Sequence, residues 1–253
     1  MSTNKISLEI CANSVASCIE AERGGATRVE LCAGIPEGGT TPSIGMLVCA
    51  LESVSIPVFP IIRPRGGDFL YTEEEVRIME CDIRMFVDLG VKGIVIGALT
   101  PEGRLDKTVC RRLIDAAQGV EVTLHRAFDM VRDQDEALEE AIELGFHRIL
   151  TSGGAWSALE GLSTIVGLVN KSRGRISIMP GCSINTDNIA RIASESGASE
   201  FHASLRRTLQ SKMLYHNPHA SMGGTVTIDE YSTTRTDAST VSEAVRILSD
   251  IKR

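Results

Sequence analysis

Apolar and polar positions alternate along the chain in two rhythms that take turns. Short β-branched segments near Ile6–Ile10, Thr27–Cys32, Pro57–Arg63, Gly93–Gly97, Val120–His125, His147–Thr151, Ile176–Pro180 and Glu200–Ala203 read as strands. Between them lie stretches such as Glu73–Leu89 and Asp133–Leu144, with apolar residues three and four apart, which predicts amphipathic helices. Thr72 precedes a run of three glutamates, a hydroxyl suited to an N-cap followed by acids suited to the positive end of a helix. Gly24, Gly90 and Gly145 stand where left-handed C-caps would close helices. Eight strand–helix units favour a closed (β/α)₈ barrel of the TIM type, one domain over residues 1–253. The rhythm breaks at 204–237, a polar segment expected to run irregularly beside the barrel mouth before a last helix at Ser239–Ile251.

Within the strands, side chains alternate between two faces, and in a barrel one of these is the interior. Ser7, Glu9 and Cys11 share a face opposite Ile6, Leu8 and Ile10; Arg28, Glu30 and Cys32 oppose Val29 and Leu31. Glu121, Thr123 and His125 likewise oppose Val122 and Leu124, while Glu200, His202 and Ser204 oppose Phe201 and Ala203. The apolar sets suit the helix-facing side, so the polar sets are expected inside. Glu9, Glu30, Arg63, His125 and His202 should then converge at one end, as a ligand pocket or as an ion-pair network filling the barrel.

Composition narrows the function. The 253 residues are 43% hydrophobic and carry a net charge of −7 without a Lys/Arg-rich block, which argues against nucleic acid as a partner. No apolar run reaches the roughly 18 residues of a membrane span, and the N-terminus lacks the pattern of a signal peptide. Seven scattered cysteines without a CxxC argue against a disulfide framework or a structural zinc site and fit reduced thiols in the cytoplasm. No GxGxxG follows the first strand, and no lysine ends a predicted strand, so dinucleotide binding and Schiff-base chemistry have little support.

Five motifs point further: Arg28-Val29-Glu30-Leu31-Cys32, Glu37-Gly38-Gly39-Thr40-Thr41-Pro42-Ser43, Arg63-Pro64-Arg65-Gly66-Gly67-Asp68-Phe69, His125-Arg126-Ala127-Phe128-Asp129 and Leu150-Thr151-Ser152-Gly153. In this order they resemble the CutC copper-homeostasis family over roughly residues 6–206. The resemblance implies a barrel, a cytoplasmic location and a copper-binding role. The turn after strand seven departs from the glycine-rich family pattern, reading Pro180-Gly181-Cys182-Ser183. For Cu(I), the candidate ligands are Cys11 and Cys32, at the ends of strands expected to lie about 4.8 Å apart, with Cys182 as a third. Packing as small apolar residues is the other reading of these thiols.

The competing class is an enzyme acting on a small phosphate or carboxylate. Glu9, Glu30 and His125 would be its acid–base groups, and Arg63 and Arg65 would bind the anion. Asp68 and Asp129 would orient these groups, with His202 beside them. Arg63 paired to Glu9 or Glu30 remains the alternative. The partners expected are a copper ion or a small anion, in a chain free to form a homo-oligomer.

Overall fold

A computed structural model describes residues 6–223 and 228–251. Eight parallel strands alternate with eight helices: β1 (Ser7–Ala12), α1 (Val15–Arg23), β2 (Arg28–Leu31), α2 (Ile44–Ser53), β3 (Val58–Pro60), α3 (Glu73–Asp88), β4 (Gly93–Ile96) and α4 (Lys107–Ala116) make the first half. The second half comprises β5 (Glu121–Leu124), α5 (Gln134–Leu144), β6 (Arg148–Thr151), α6 (Leu162–Ser172), β7 (Ser177–Pro180), α7 (Ile189–Ser196), β8 (Glu200–Ala203) and α8 (Ala238–Ser249). Ladders run β3-β2-β1-β8 and β4-β5-β6-β7. The parallel bridge Ile61–Val95 joins the two ladders on one side, and β7 packs beside β8 on the other, giving the (β/α)₈ barrel. The segment 204–237 is more regular than its polar composition suggests. It carries an antiparallel hairpin of β9 (Arg206–Gln210) and β10 (Ser232–Thr236), paired Arg206 to Thr236.

The alternation sorts the strands as their patterns require. Leu8, Ile10, Val29, Leu31, Val122, Leu124 and Phe201 join the apolar layer between strands and helices. Thr72 caps α3 by accepting from Glu75 N while Glu75 Oε2 accepts from Thr72 N, a reciprocal box that satisfies two otherwise unpaired donors. Gly145 adopts the expected left-handed conformation, but Gly24 does not: its φ is −77°, and Gly25 at +90° makes the turn. What Gly24 provides is room, since a Cβ there would lie 2.4 Å from Cβ of Val241 in α8.

Inside, the lower part of the barrel is filled by charge. Arg28 of β2 donates to Glu9 of β1 and, at 2.8 Å, to Glu200 of β8. The same Glu200 oxygen accepts from Arg148 of β6 at 3.0 Å, and Arg148 continues to Glu121 Oε2 at 2.7 Å and Thr123 Oγ1 at 3.2 Å on β5. Both guanidinium groups face the Phe59 ring of β3, at 5.0 and 5.5 Å from its centre. Gly93 of β4 admits that ring, because a Cβ there would lie 2.4 Å from two of its carbons.

Breaking this ladder at Arg28 takes one of two cationic partners from the buried Glu9 and from Glu200, leaving His202 and Arg148 as their remaining ones. We expect Arg28→Met to lower unfolding free energy by about 3–5 kcal/mol. Lys171→Met, at the exposed pair with Asp135, should cost no more than about 1 kcal/mol. Urea titration of both variants measures the difference, and similar losses would contradict a structural role for the ladder.

Candidate ligand site at the barrel mouth

Above the ladder, the carboxyl ends of the strands surround a cavity of about 670 Å³. Cys11, Glu30 and His202 line one side, and Arg63 and His125 also reach the cavity. Glu9 does not line it. It lies beneath, 1% exposed, with Oε1 2.7 Å from His202 Nδ1. Strand register explains this layering: Glu9 stands level with Arg28 and His202, whereas Cys11 stands level with Glu30, two residues nearer the mouth.

The two thiols meet. Cys11 Sγ lies 3.6 Å from Cys32 Sγ, because Cys32 continues β2 and its amide bonds to Ala12 O at the end of β1. Arg206, at the start of the hairpin, donates from Nη2 to Cys11 O at 3.1 Å and to Cys11 Sγ at 3.2 Å. One donor atom each from Cys11, Glu30 and His202 lies within 4.8 Å of the others. Burial raises the Glu30 pKa, only partly opposed by His202. For His202, burial opposes protonation, but Glu30, Cys11 and Glu9 together raise its pKa well above the usual histidine value. The bond to Cys32, with burial, lifts the Cys11 thiol above its ordinary range. The ligand-free site therefore sets the Cys11 thiol beside an imidazolium. Cys182, considered as a third ligand, is directed away and donates from Sγ to Trp156 O at 3.2 Å.

His202 therefore occupies the place considered for His125: it is the imidazole paired with Glu9 and near Glu30. His125 accepts at Nδ1 from Ala127 N, 3.2 Å away at the start of a 3₁₀ turn over Arg126–Met130, so its proton sits on Nε2. Burial, then the nearby Arg63 charge, lower its pKa to about 3, making it a neutral donor at ordinary pH. Its Nε2 is buried without a hydrogen-bond partner among the described residues. Gly97 leaves room for the ring, since a Cβ there would come within 2.6 Å of it.

The arginine loop divides its duties. Arg65 donates from Nε to Glu75 Oε1 at 2.6 Å, from Nη1 to Gly66 O and Asp68 O, and from Nη2 to Leu70 O, with Asp68 Oδ1 3.0 Å from Nη2. Its donors are engaged in bracing the loop against the α3 cap, so the anion-binding role expected of Arg65 lacks a free group. Arg63 pairs with neither Glu9 nor Glu30; it holds Glu37 O, Gly39 O and Gly67 O. The Gly153–Gly154 turn is also engaged. Asp129, oriented by Arg126 at 2.7 Å, accepts from Ser152 N and Gly154 N, while Gly153 N bonds to Thr151 Oγ1. Asp68 and Asp129 thus serve Arg65 and Arg126. Arg148 escaped the sequence reading, although an arginine inside an apolar strand on the inward phase was the available signal.

Fold and mouth together define a (β/α)₈-barrel protein with two thiols beside a charged imidazole at the carboxyl ends of its strands. The model of the CutC family matches residues 6–207, and the chain belongs to that copper-homeostasis family. A CutC family protein of Porphyromonas gingivalis is 54% identical over 244 residues, covering 96% of this chain and 98% of its own. The human copper homeostasis protein cutC homolog is 50% identical over 238 residues, covering 94% and 87%. The crystal structure of CutC from Streptococcus agalactiae superposes with a TM-score of 0.74 at 36% identity, covering 78% of this chain and 97% of that one. Thiamine phosphate pyrophosphorylase from Pyrococcus furiosus, at 15% identity and a TM-score of 0.58 over 97% of this chain and 96% of its own, shares the fold alone.

The state of His125 has a measurable consequence. A base held neutral by burial contributes stability that is complete above its unfolded pKa of about 6.5 and falls as pH drops toward the folded value of about 3. Urea titrations at pH 7 and pH 4.5 should show a smaller acid loss in His125→Gln than in wild type. Equal losses would mean that His125 is charged in the folded protein.

Proposed function

We propose that this chain binds Cu(I) at the barrel mouth through the thiolates of Cys11 and Cys32, with His202 Nε2 as third donor and Glu30 beside it. The observation that carries this reading is the 3.6 Å separation of the two sulfurs next to His202 and Glu30. Metal–sulfur bonds of about 2.3 Å reach a common point from that separation with an angle near 100° at the ion, which calls for a further donor. Soft sulfur ligands favour Cu(I) over hard cations.

The surroundings support the same reading. A metal-bound histidine commonly gives its other N–H to a carboxylate, and Glu9 already holds His202 Nδ1. Loading would release the thiol protons and the Nε2 proton, since ligands bind deprotonated. Arg206 then offsets part of the thiolate charge. All seven cysteines are unpaired, which fits the reducing cytoplasm, and no helix among the described residues is long and apolar enough to cross a membrane.

Cys11→Ser combined with Cys32→Ser should abolish Cu(I) retention against a colorimetric chelator under reducing conditions. The pair Cys49→Ser and Cys81→Ser, both at exposed positions, should leave retention intact. Equal loss from both pairs would show non-specific thiol binding and end the proposal.

A further inference from the structure

On the cysteine side of the mouth stands a cation that the fold positions with care and leaves without a counter-ion. Leu205 takes a left-handed φ of +43°, uncommon outside glycine, where the chain turns from β8 into the hairpin. Thr236, paired with Arg206 across the hairpin, is fully buried, and its amide bonds to Ser17 Oγ at 3.2 Å, tying the base of the hairpin to α1. Arg206 is thereby held against the end of β1, with Nη2 3.1 Å from Cys11 O and 3.2 Å from Cys11 Sγ. Its Nε is buried and, among the described residues, has no hydrogen-bond partner. Among the same residues no carboxylate forms an ion pair with its guanidinium. Asp237, next to Thr236, pairs instead with Arg207 at 3.2 Å and caps α8.

We propose that Arg206 determines the ion specificity of the mouth, favouring a monovalent soft cation over a divalent one. That role rests on the proposed Cu(I) site and adds what selects the charge of the ion. Softness alone does not separate Cu(I) from zinc, because thiolates and imidazole bind both. Charge does. A metal–sulfur bond of about 2.3 Å and the 3.2 Å from Sγ to Nη2 put the ion no more than about 5.5 Å from the guanidinium nitrogen. At that range a fixed positive charge repels a divalent ion twice as strongly as a monovalent one. Two thiolates and one Cu(I) sum to a single negative charge, which Arg206 cancels. With a divalent ion the same two thiolates are already neutralised, and the guanidinium charge stays unopposed. An ionised carboxylate such as Glu30 attracts both ions and favours the divalent one, so preference for the monovalent ion has to come from a cation. Arg28 is engaged by Glu9 and Glu200, and His202 gives up its Nε2 proton on loading. Arg206 is the cation that touches a sulfur.

The test compares the affinities for Cu(I) and Zn(II), two ions with filled d shells, so that ligand-field preferences do not enter. Each is measured by competition with a chromogenic chelator under reducing conditions in wild type, Arg206→Gln and Arg206→Lys. Cys11→Ser combined with Cys32→Ser gives the background for binding elsewhere on the chain. Arg206→Gln should raise Zn(II) affinity relative to Cu(I) by about tenfold or more, while Arg206→Lys, which keeps the charge, should stay within about threefold of wild type. Arg206→Met, a second neutral variant, should behave as Arg206→Gln does. A residue that only braced the hairpin would weaken both ions together and leave their ratio where it was. A ratio unchanged in the neutral variants, or raised as far in Arg206→Lys, overturns the role of Arg206 and leaves the Cu(I) site standing. Wild type that holds Cu(I) no better than the double serine variant ends both.

Discussion

The rest of the structure depends on the ladder Glu9–Arg28–Glu200–Arg148–Glu121, which runs from the buried Glu9 to an exposed end at Glu121. It joins β1, β2, β8, β6 and β5, and through Phe59 and Gly93 it reaches β3 and β4 as well. Two guanidinium groups inside a barrel are tolerable only because carboxylates and an aromatic face surround them. The register is tied to that arrangement. Moving one strand by one residue would turn its carboxylate or arginine toward the apolar helix layer and leave its partner alone.

The ladder also sets the chemistry above it. Glu9 divides its two oxygens, giving one to Arg28 on one neighbouring strand and one to His202 on the other. Burial by itself would raise the Glu9 pKa, but Arg28 and His202 outweigh it, and the carboxyl is held below its usual range. This fixed negative charge keeps His202 in one orientation with Nε2 toward Cys11 and Glu30. The structural network and the candidate site are therefore one continuous chain of charge.

Across the cavity, the loops follow a different rule. Internal groups occupy the donors of most loops that might otherwise bind a ligand: Glu75 and Asp68 take Arg65, and Asp129 takes the turn after β6. Arg63 and His125 are the contrast. Each is ordered by its own set of bonds, and each lines the cavity.

Much of this was legible in the sequence. The repeated change between strand and helix periods determines the barrel, and period-two alternation in β1, β2, β5 and β8 determines which polar residues face inward. Five ordered motifs point to the family. The partners of those inward residues were not legible, because alternation assigns a face but neither a height nor a neighbour. His125 and His202 carry the same signal, yet register sets His202 level with Glu9 and a 3₁₀ turn captures Nδ1 of His125. Arg63 and Arg65 stand two residues apart, yet one turns into the barrel and the other against the cap of α3. Cys11 and Cys32 are 21 residues apart, and only the pairing of β1 with β2 brings their sulfurs within 3.6 Å. Periodicity is a local property of the chain, whereas the pairing of charges depends on how eight strands are staggered when the barrel closes.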